Sequence, residues 1–163
     1  MNTQKREEII RELKIAYGME IETVQNYLAN SVDLDGIRAE EIKKSLATDI
    51  QEELNHATLL AKRIKILEGR VPGSMELERN QTFMQPPQDS TDVVAVIRGV
   101  IAAEDGAIEQ YEKIIQLCDG IDFVTQDMVI EILADEQGHR RQFVGFLSEY
   151  ERSEARAAMA ATH

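Results

Sequence analysis

Every proline in the chain lies inside one short window, and this constrains the fold more than any other feature. Pro72, Pro86 and Pro87 all fall between Gly69 and Ser90. Proline lacks a backbone donor and clashes with the preceding turn, so it breaks helix interiors. Residues 1–69 and 91–163 are therefore each free to be helical, with 70–90 as a connection. Two further breaks stand out, Asp33-Leu34-Asp35-Gly36 and Cys118-Asp119-Gly120-Ile121-Asp122, both rich in turn-forming and capping residues.

The four segments left between these breaks each carry apolar residues at helical spacing. Residues 4–31 place Ile9, Leu13, Ala16, Val24 and Tyr27 on one stripe, and residues 39–68 do the same with Ile42, Leu46, Leu60, Ile64 and Leu67. Residues 91–117 carry Val93, Ile97, Val100, Ile108, Tyr111 and Ile115, and residues 123–151 carry Val129, Ile132, Phe143 and Phe146. Ser90 or Thr91 and Asp122 are suited to capping the last two helices. Sustained period-two alternation is missing, so the expected fold is all-α. The short breaks make two antiparallel hairpins. The long connection can cross the length of a bundle whose helices run roughly 40–45 Å at about 1.5 Å per residue. The expected unit is a four-helix bundle over residues 1–152, followed by residues 153–163 as a tail that extends the fourth helix, forms a short extra one, or frays.

Composition narrows the function. The chain has 163 residues, 43% of them hydrophobic, and 30 acids against 18 bases give a net charge of −12. Such an acidic surface argues against gripping nucleic acid, whose phosphates call for a basic stripe, and against docking on anionic lipid. There is no apolar run near the ~18 residues of a membrane span. Met1 to Glu8 are polar, unlike a signal peptide, which makes the cytoplasm the expected compartment. Cys118 is the only cysteine, so an internal disulfide or a CxxC site cannot form; its place at a helix end suits a structural role.

Each apolar stripe is interrupted where a core residue belongs. Glu20 stands between Ala16 and Val24, Glu53 and His56 between Leu46 and Leu60, Glu104 between Val100 and Ile108, and Glu136 and His139 between Ile132 and Phe143. A buried carboxylate is costly unless paired or metal-bound, and four near one another raise each other's pKa. Two divalent cations remove the conflict, because four carboxylates supply the −4 that two M²⁺ neutralise. The pattern also repeats. Glu20 precedes Tyr27 by seven residues, as Glu104 precedes Tyr111, and the halves are offset by 84. Glu53-x-x-His56 recurs as Glu136-x-x-His139 at an offset of 83. Residues at i and i+3 share a helix face. One Glu from each of two helices plus Glu-x-x-His from each of the other two is the ligand set of a di-metal carboxylate bundle. A single Glu-x-x-His on an acidic helix would mean little, but two of only three histidines lie in this motif.

The run from Asp122 to His139, DFVTQDMVIEILADEQGH, resembles the fourth helix of bacterioferritins, and Ile66 to Pro72, ILEGRVP, resembles the end of their second. The likeness spans residues 5–147 and makes the expected bundle ferritin-like. It implies that Glu20 and His56 hold one iron, that Glu104 and His139 hold the other, and that Glu53 and Glu136 bridge them. Three positions depart from the family. Leu54 stands where a haem-ligating Met follows the bridging Glu, so haem is not expected. Thr48 replaces the His of an accessory inner-surface iron site. The family's short fifth helix is not evident in residues 153–163, which weakens any carry-over of a 24-subunit cage.

Around the expected centre, Glu52 and Asp135 each precede a bridging Glu and are placed to orient the histidine of the opposite hairpin. Tyr27 and Tyr111 are suited to hydrogen-bond a ligand carboxylate, relay an electron, or simply pack. Gly18, Gly106 and Gly138 lie within two residues of the ligand positions, which close helix approach or oxidant access would explain. Met19, Met75, Met84 and Met128 show no donor pattern, and His163 carries no assignment. A carboxylate–imidazole set suits Fe or Mn over Zn or Cu. The expected cofactor is therefore two Fe ions per chain, with Mn possible, and the expected function is oxidation of Fe²⁺ by O₂ or H₂O₂ for iron storage and detoxification, in a homo-oligomer ranging from a dimer to a 24-chain cage. Alternatives are a rubrerythrin-like peroxide reductase or manganese catalase fed by an external reductant, and a non-catalytic shell subunit.

Overall fold

The computed structural model describes residues 1–161 and is helical throughout its regular structure. Four helices, α1 (Thr3–Asp33), α2 (Glu40–Ile66), α3 (Val93–Cys118) and α4 (Phe123–Ala161), form two hairpins joined by one long crossover. Short 3₁₀ turns occupy Ile37–Ala39, Ser74–Glu76 and Thr82–Met84. This is the four-helix bundle the proline window predicts.

The helix ends follow local chemistry. Asn2 caps α1 by accepting from the Lys5 backbone N–H at 2.9 Å. Asp122 caps α4, taking the Thr125 N–H at 3.1 Å. The cap of α3 is Asp92, which accepts from the Ala95 N–H at 3.0 Å, and not Ser90 or Thr91. Both are engaged elsewhere, Ser90 with Asp35 of the α1–α2 connection and Thr91 with Asp89 of the turn before α3. The C-terminal segment forms neither a frayed tail nor a separate helix over its described part. It continues α4 without a break to Ala161, exposed on every side across 151–160. His163 lies outside the described residues.

Two apolar clusters fill the bundle. One gathers Ile9 and Leu13 of α1, Leu60 and Ile64 of α2, Ile114 of α3 and Ile132 of α4. The other gathers Leu34, Leu46, Ile97, Val100 and Phe143 with Met84 of the crossover. The residues that interrupt the stripes fall between them, a polar belt across the middle of an otherwise dry core. An outer lock fixes the corner beside the first cluster. Arg63 of α2 donates to both Asp122 carboxylate oxygens, at 2.7 and 2.9 Å, and its Nε donates to Thr125 Oγ1 at 2.7 Å. Burial would raise the Asp122 carboxyl, but hydrogen bonds from Thr125 and Arg63 outweigh it and hold the group below its usual range.

The crossover is tied to α1 by polar residues at i, i+4 and i+8. Glu22 accepts from the backbone N–H groups of Asn80 and Gln81, both at 2.9 Å. Asn26 donates to Gln81 Oε1 at 3.0 Å, and Asn30 donates to the Met84 carbonyl at 3.0 Å. On the other side the crossover presses on α3 at Gly99, where a Cβ would stand 2.6 Å from the Phe83 carbonyl oxygen. Gly99→Ala should therefore destabilise the bundle by about 1–3 kcal/mol through overpacking, despite alanine's ~1 kcal/mol advantage over glycine in a helix. A thermal melt reads the sign directly, and a raised midpoint would mean that the crossover does not press there.

Candidate metal centre

The belt is made of one residue or motif from each helix. Glu20 comes from α1, Glu53 and His56 from α2, Glu104 from α3, and Glu136 and His139 from α4. All six are between 1% and 7% exposed. They divide into two overlapping groups able to hold a metal ion. Glu20, Glu53, His56 and Glu136 offer ligand atoms within 4.8 Å of one another, and so do Glu53, Glu104, Glu136 and His139. Glu53 and Glu136 belong to both groups.

The imidazoles are aimed inward from both sides. His56 Nδ1 lies 3.0 Å from Glu136 Oε1 and 3.9 Å from Glu53 Oε2. His139 Nδ1 lies 3.2 Å from Glu53 Oε1 and 3.6 Å from Glu136 Oε2. The outer nitrogens are engaged across the bundle: His56 Nε2 with Asp135 Oδ2 of α4 at 3.2 Å, and His139 Nε2 with Glu52 Oε2 of α2 at 3.1 Å. An outer carboxylate that accepts the Nε2–H leaves Nδ1 as the free donor atom, the usual arrangement behind a ligating histidine.

The two tyrosines also work across the bundle. The Tyr27 hydroxyl of α1 donates to Glu104 Oε1 of α3 at 2.5 Å, and the Tyr111 hydroxyl of α3 donates to Glu20 Oε1 of α1. Each thus supports the glutamate of the other hairpin, not the one seven residues away on its own helix. Burial first, and then the neighbouring glutamates, push both phenols well above their usual pKa.

Without metal the site is electrostatically divided. Burial, aided by the charges of Glu53 and Glu136, pushes Glu20 well above the usual carboxylate range, and burial with the Glu136 contact does the same to Glu104. Burial acts in the same sense on Glu136, but hydrogen bonds from His139, His56 and Glu104 overcome it and bring it to about 2. Glu53 is lowered, burial being outweighed by its bonds to His139 and His56. Burial opposes the charge on the imidazoles, yet Glu136 and Glu53 raise His56 to about 10 and His139 to about 12.

A test of fit lies in the unpaired atoms. Among the described residues five buried side-chain atoms make no well-directed hydrogen bond, and four of them are Glu53 Oε1, Glu136 Oε1, His56 Nδ1 and His139 Nδ1, which meet one another only as ion contacts of 3.0 and 3.2 Å. Such orphans are rare in folded proteins and call for an explanation. Here they converge on the shared middle of the two groups, where divalent cations would satisfy them all.

Other residues fall differently from the sequence reading. Gly18 and Gly106 line a cleft on the α1–α3 side, whereas Gly138 is exposed, and a Cβ built on it would meet nothing within 4 Å. Close helix approach therefore does not explain Gly138. Asp49 escapes the stripe pattern, yet it is buried one turn before Glu53 and groups with Glu52 and His139. Its i−4 spacing from Glu53 is the signal that could have found it. Leu54 and Thr48 both lie exposed on α2.

An all-α bundle with two Glu-x-x-His helices and two single-Glu helices has the ligand pattern of the di-metal carboxylate class. The chain belongs to the ferritin-like domain family, whose model matches residues 10–153, and within it the chain is bacterioferritin-like. It is 27% identical over 132 residues to a bacterioferritin of Brucella melitensis, covering 80% of this chain and 77% of that one. Among solved structures it resembles the bacterioferritin of Desulfovibrio desulfuricans, described with a diiron site, at a TM-score of 0.78 and 23% identity over 91% of this chain and 83% of that one. It also resembles a dodecameric thioferritin, a bacterioferritin-related protein of Bacteroides fragilis, at a TM-score of 0.80 and 24% identity over 92% and 90%. No helix among the described residues is long and apolar enough to cross a membrane.

Proposed function

We propose that the chain is a di-iron ferroxidase that oxidises Fe²⁺ with O₂ or H₂O₂ in the cytoplasm, serving iron storage and detoxification. The observation that carries this reading is the convergence of four carboxylates and two imidazole nitrogens in two overlapping ligand groups. In this assignment Glu20 and His56 hold one iron, Glu104 and His139 the other, and Glu53 and Glu136 bridge the pair. Two Fe²⁺ bound there supply two electrons, enough with two protons to reduce H₂O₂ to two waters.

The chain's own residues prepare that chemistry. Asp135 and Glu52 hold the imidazoles by Nε2 so that Nδ1 faces inward. The Tyr27 and Tyr111 hydroxyls each hold one oxygen, of Glu104 and of Glu20, and so fix the direction of both carboxyls. The apolar clusters on either side exclude water from the belt. The working unit in this reading is the bundle over residues 1–152, with 153–163 outside it. Its assembly is a homo-oligomer, a reading supported by the dodecameric relative. Anaerobic Fe²⁺ titration followed by calorimetry should saturate near two ions per chain, one for each group. Saturation at one ion, or none, would refute the assignment.

A further inference from the structure

The outer face of α4 carries charges that its own chain does not use. The helix buries Val129, Ile132, Glu136, His139 and Phe143 on one side. At about 100° per residue, Asp127, Glu131, Gly138, Gly145, Arg152 and Arg156 fall within a strip about 60° wide on the opposite side, and all six are exposed. The ion pairs near this strip are made by its neighbours, Arg140 with Asp105, Glu151 with Arg98 and Glu154 with Arg38. Asp127, Glu131, Arg152 and Arg156 have no ion-pair partner among the described residues.

The order of these residues is self-complementary. Acids occupy the N-terminal end of the strip, glycines its middle and arginines its C-terminal end, about a point midway between Arg141 and Gln142. Asp127 and Arg156 stand equally far from that point, as do Glu131 and Arg152, and Gly138 and Gly145. A twofold axis there turns the strip end for end, so that acid meets base and glycine meets glycine, as an isologous interface requires. No two residues brought directly opposite in this register carry like charges.

Two further observations call for a helix on this face. Glycine is a poor helix former, yet a Cβ on Gly138 would meet nothing within 4 Å, and one on Gly145 only the tip of Arg141, at 3.5 Å. Nothing in the chain itself uses that space, whereas small side chains at a crossing let two helices approach closely. Residues 151–160 are exposed on every side, and a helical segment without tertiary packing is marginal in water. The same register lays them along residues 123–132 of a second copy, where Phe123 and Val124 are 68% and 64% exposed.

We propose that α4 pairs antiparallel with α4 of a second copy, Asp127 and Glu131 of each chain facing Arg156 and Arg152 of the other. The contact rests on the homo-oligomer reading, which it deepens by naming the face. It is independent of the metal assignment, because none of the six residues belongs to either ligand group.

Sedimentation velocity and light scattering on the full chain at micromolar concentration test this. The wild type should associate. Asp127→Arg with Glu131→Arg makes the strip basic throughout, and Arg152→Glu with Arg156→Glu makes it acidic throughout. Each double variant should raise the dissociation constant of this contact about tenfold or more, about 1.4 kcal/mol, because like charges then face each other. An equimolar mixture of the two should recover wild-type affinity, a basic strip now facing an acidic one, and this recovery keeps the test decisive if either variant associates poorly for another reason. Wild-type affinity in the separate variants, or a mixture that stays apart, would overturn the contact and leave the homo-oligomer reading standing. A monomeric wild type would overturn both.

Discussion

Glu53→Ala should slow the initial rate of Fe²⁺ oxidation by on the order of 100-fold or more. Loss of an outer partner of a metal ligand typically costs 10–100-fold, and Glu53 stands closer to the chemistry than any such partner. It is the carboxylate common to both ligand groups with Glu136, and its two oxygens face His139 Nδ1 at 3.2 Å and His56 Nδ1 at 3.9 Å. Its removal takes a donor from both metal positions at once. Glu52→Ala provides the graded comparison. Glu52 touches the outer nitrogen of His139, so its loss should cost about 10–100-fold and leave two-ion binding in place. Stopped-flow absorbance of the ferric product under air measures both. Wild-type oxidation rates in Glu53→Ala would remove the ferroxidase reading, and equal losses in the two variants would mean that the bridging role is misassigned.

The helices and the belt could be read from the sequence because both are written as local periodicity. Apolar residues recurring every three to four positions locate a buried face, and a glutamate at such a position has no local alternative but to point inward. Partnership between elements was legible only in part: Glu52 and Asp135 do reach the histidines of the opposite hairpin, but other pairings could not be read. Tyr27 lies on the same face as Glu20, yet it serves Glu104, because the nearest buried acceptor is on the neighbouring helix. Glu22, Asn26 and Asn30 look like a solvated polar face at i, i+4 and i+8, and only the path of the crossover makes them its anchor. The α3 cap went to Asp92 and not to Ser90 or Thr91, because Ser90 is spent on Asp35 of the α1–α2 connection and Thr91 on Asp89 of the preceding turn. Residues 153–161 extend α4 because Ser153-Glu-Ala-Arg-Ala-Ala-Met-Ala-Ala contains neither Pro nor Gly and is rich in alanine, the best helix former.

Loading the metal-free protein with Fe²⁺ under anaerobic conditions at pH 7 should release at least about two protons per chain, since each ligand must be deprotonated to bind. The metal-free belt limits its own charge by holding protons. His56 and His139, raised to about 10 and about 12, are imidazoliums that offset Glu53 and Glu136. Burial first, and then the neighbouring glutamates, push Glu20 and Glu104 well above the usual carboxylate range, which favours their protonated forms. Two divalent ions would neutralise the four carboxylates and take the place of the protons the belt holds without them, which limits the uncompensated charge the apolar clusters face. Stability follows with a definite sign. A histidine whose folded pKa is raised contributes stability that is fully present below its unfolded value near 6.5 and is lost as pH climbs through the folded value. The metal-free midpoint should therefore fall between pH 7 and 10, while the loaded protein, whose imidazoles are held by metal, should change far less. A pH-stat counts the protons, and calorimetry follows the midpoint. Release of fewer than two protons, or a metal-free midpoint that rises across that window, would mean that the belt does not store the protons its geometry implies, and that something other than proton exchange balances the buried charge.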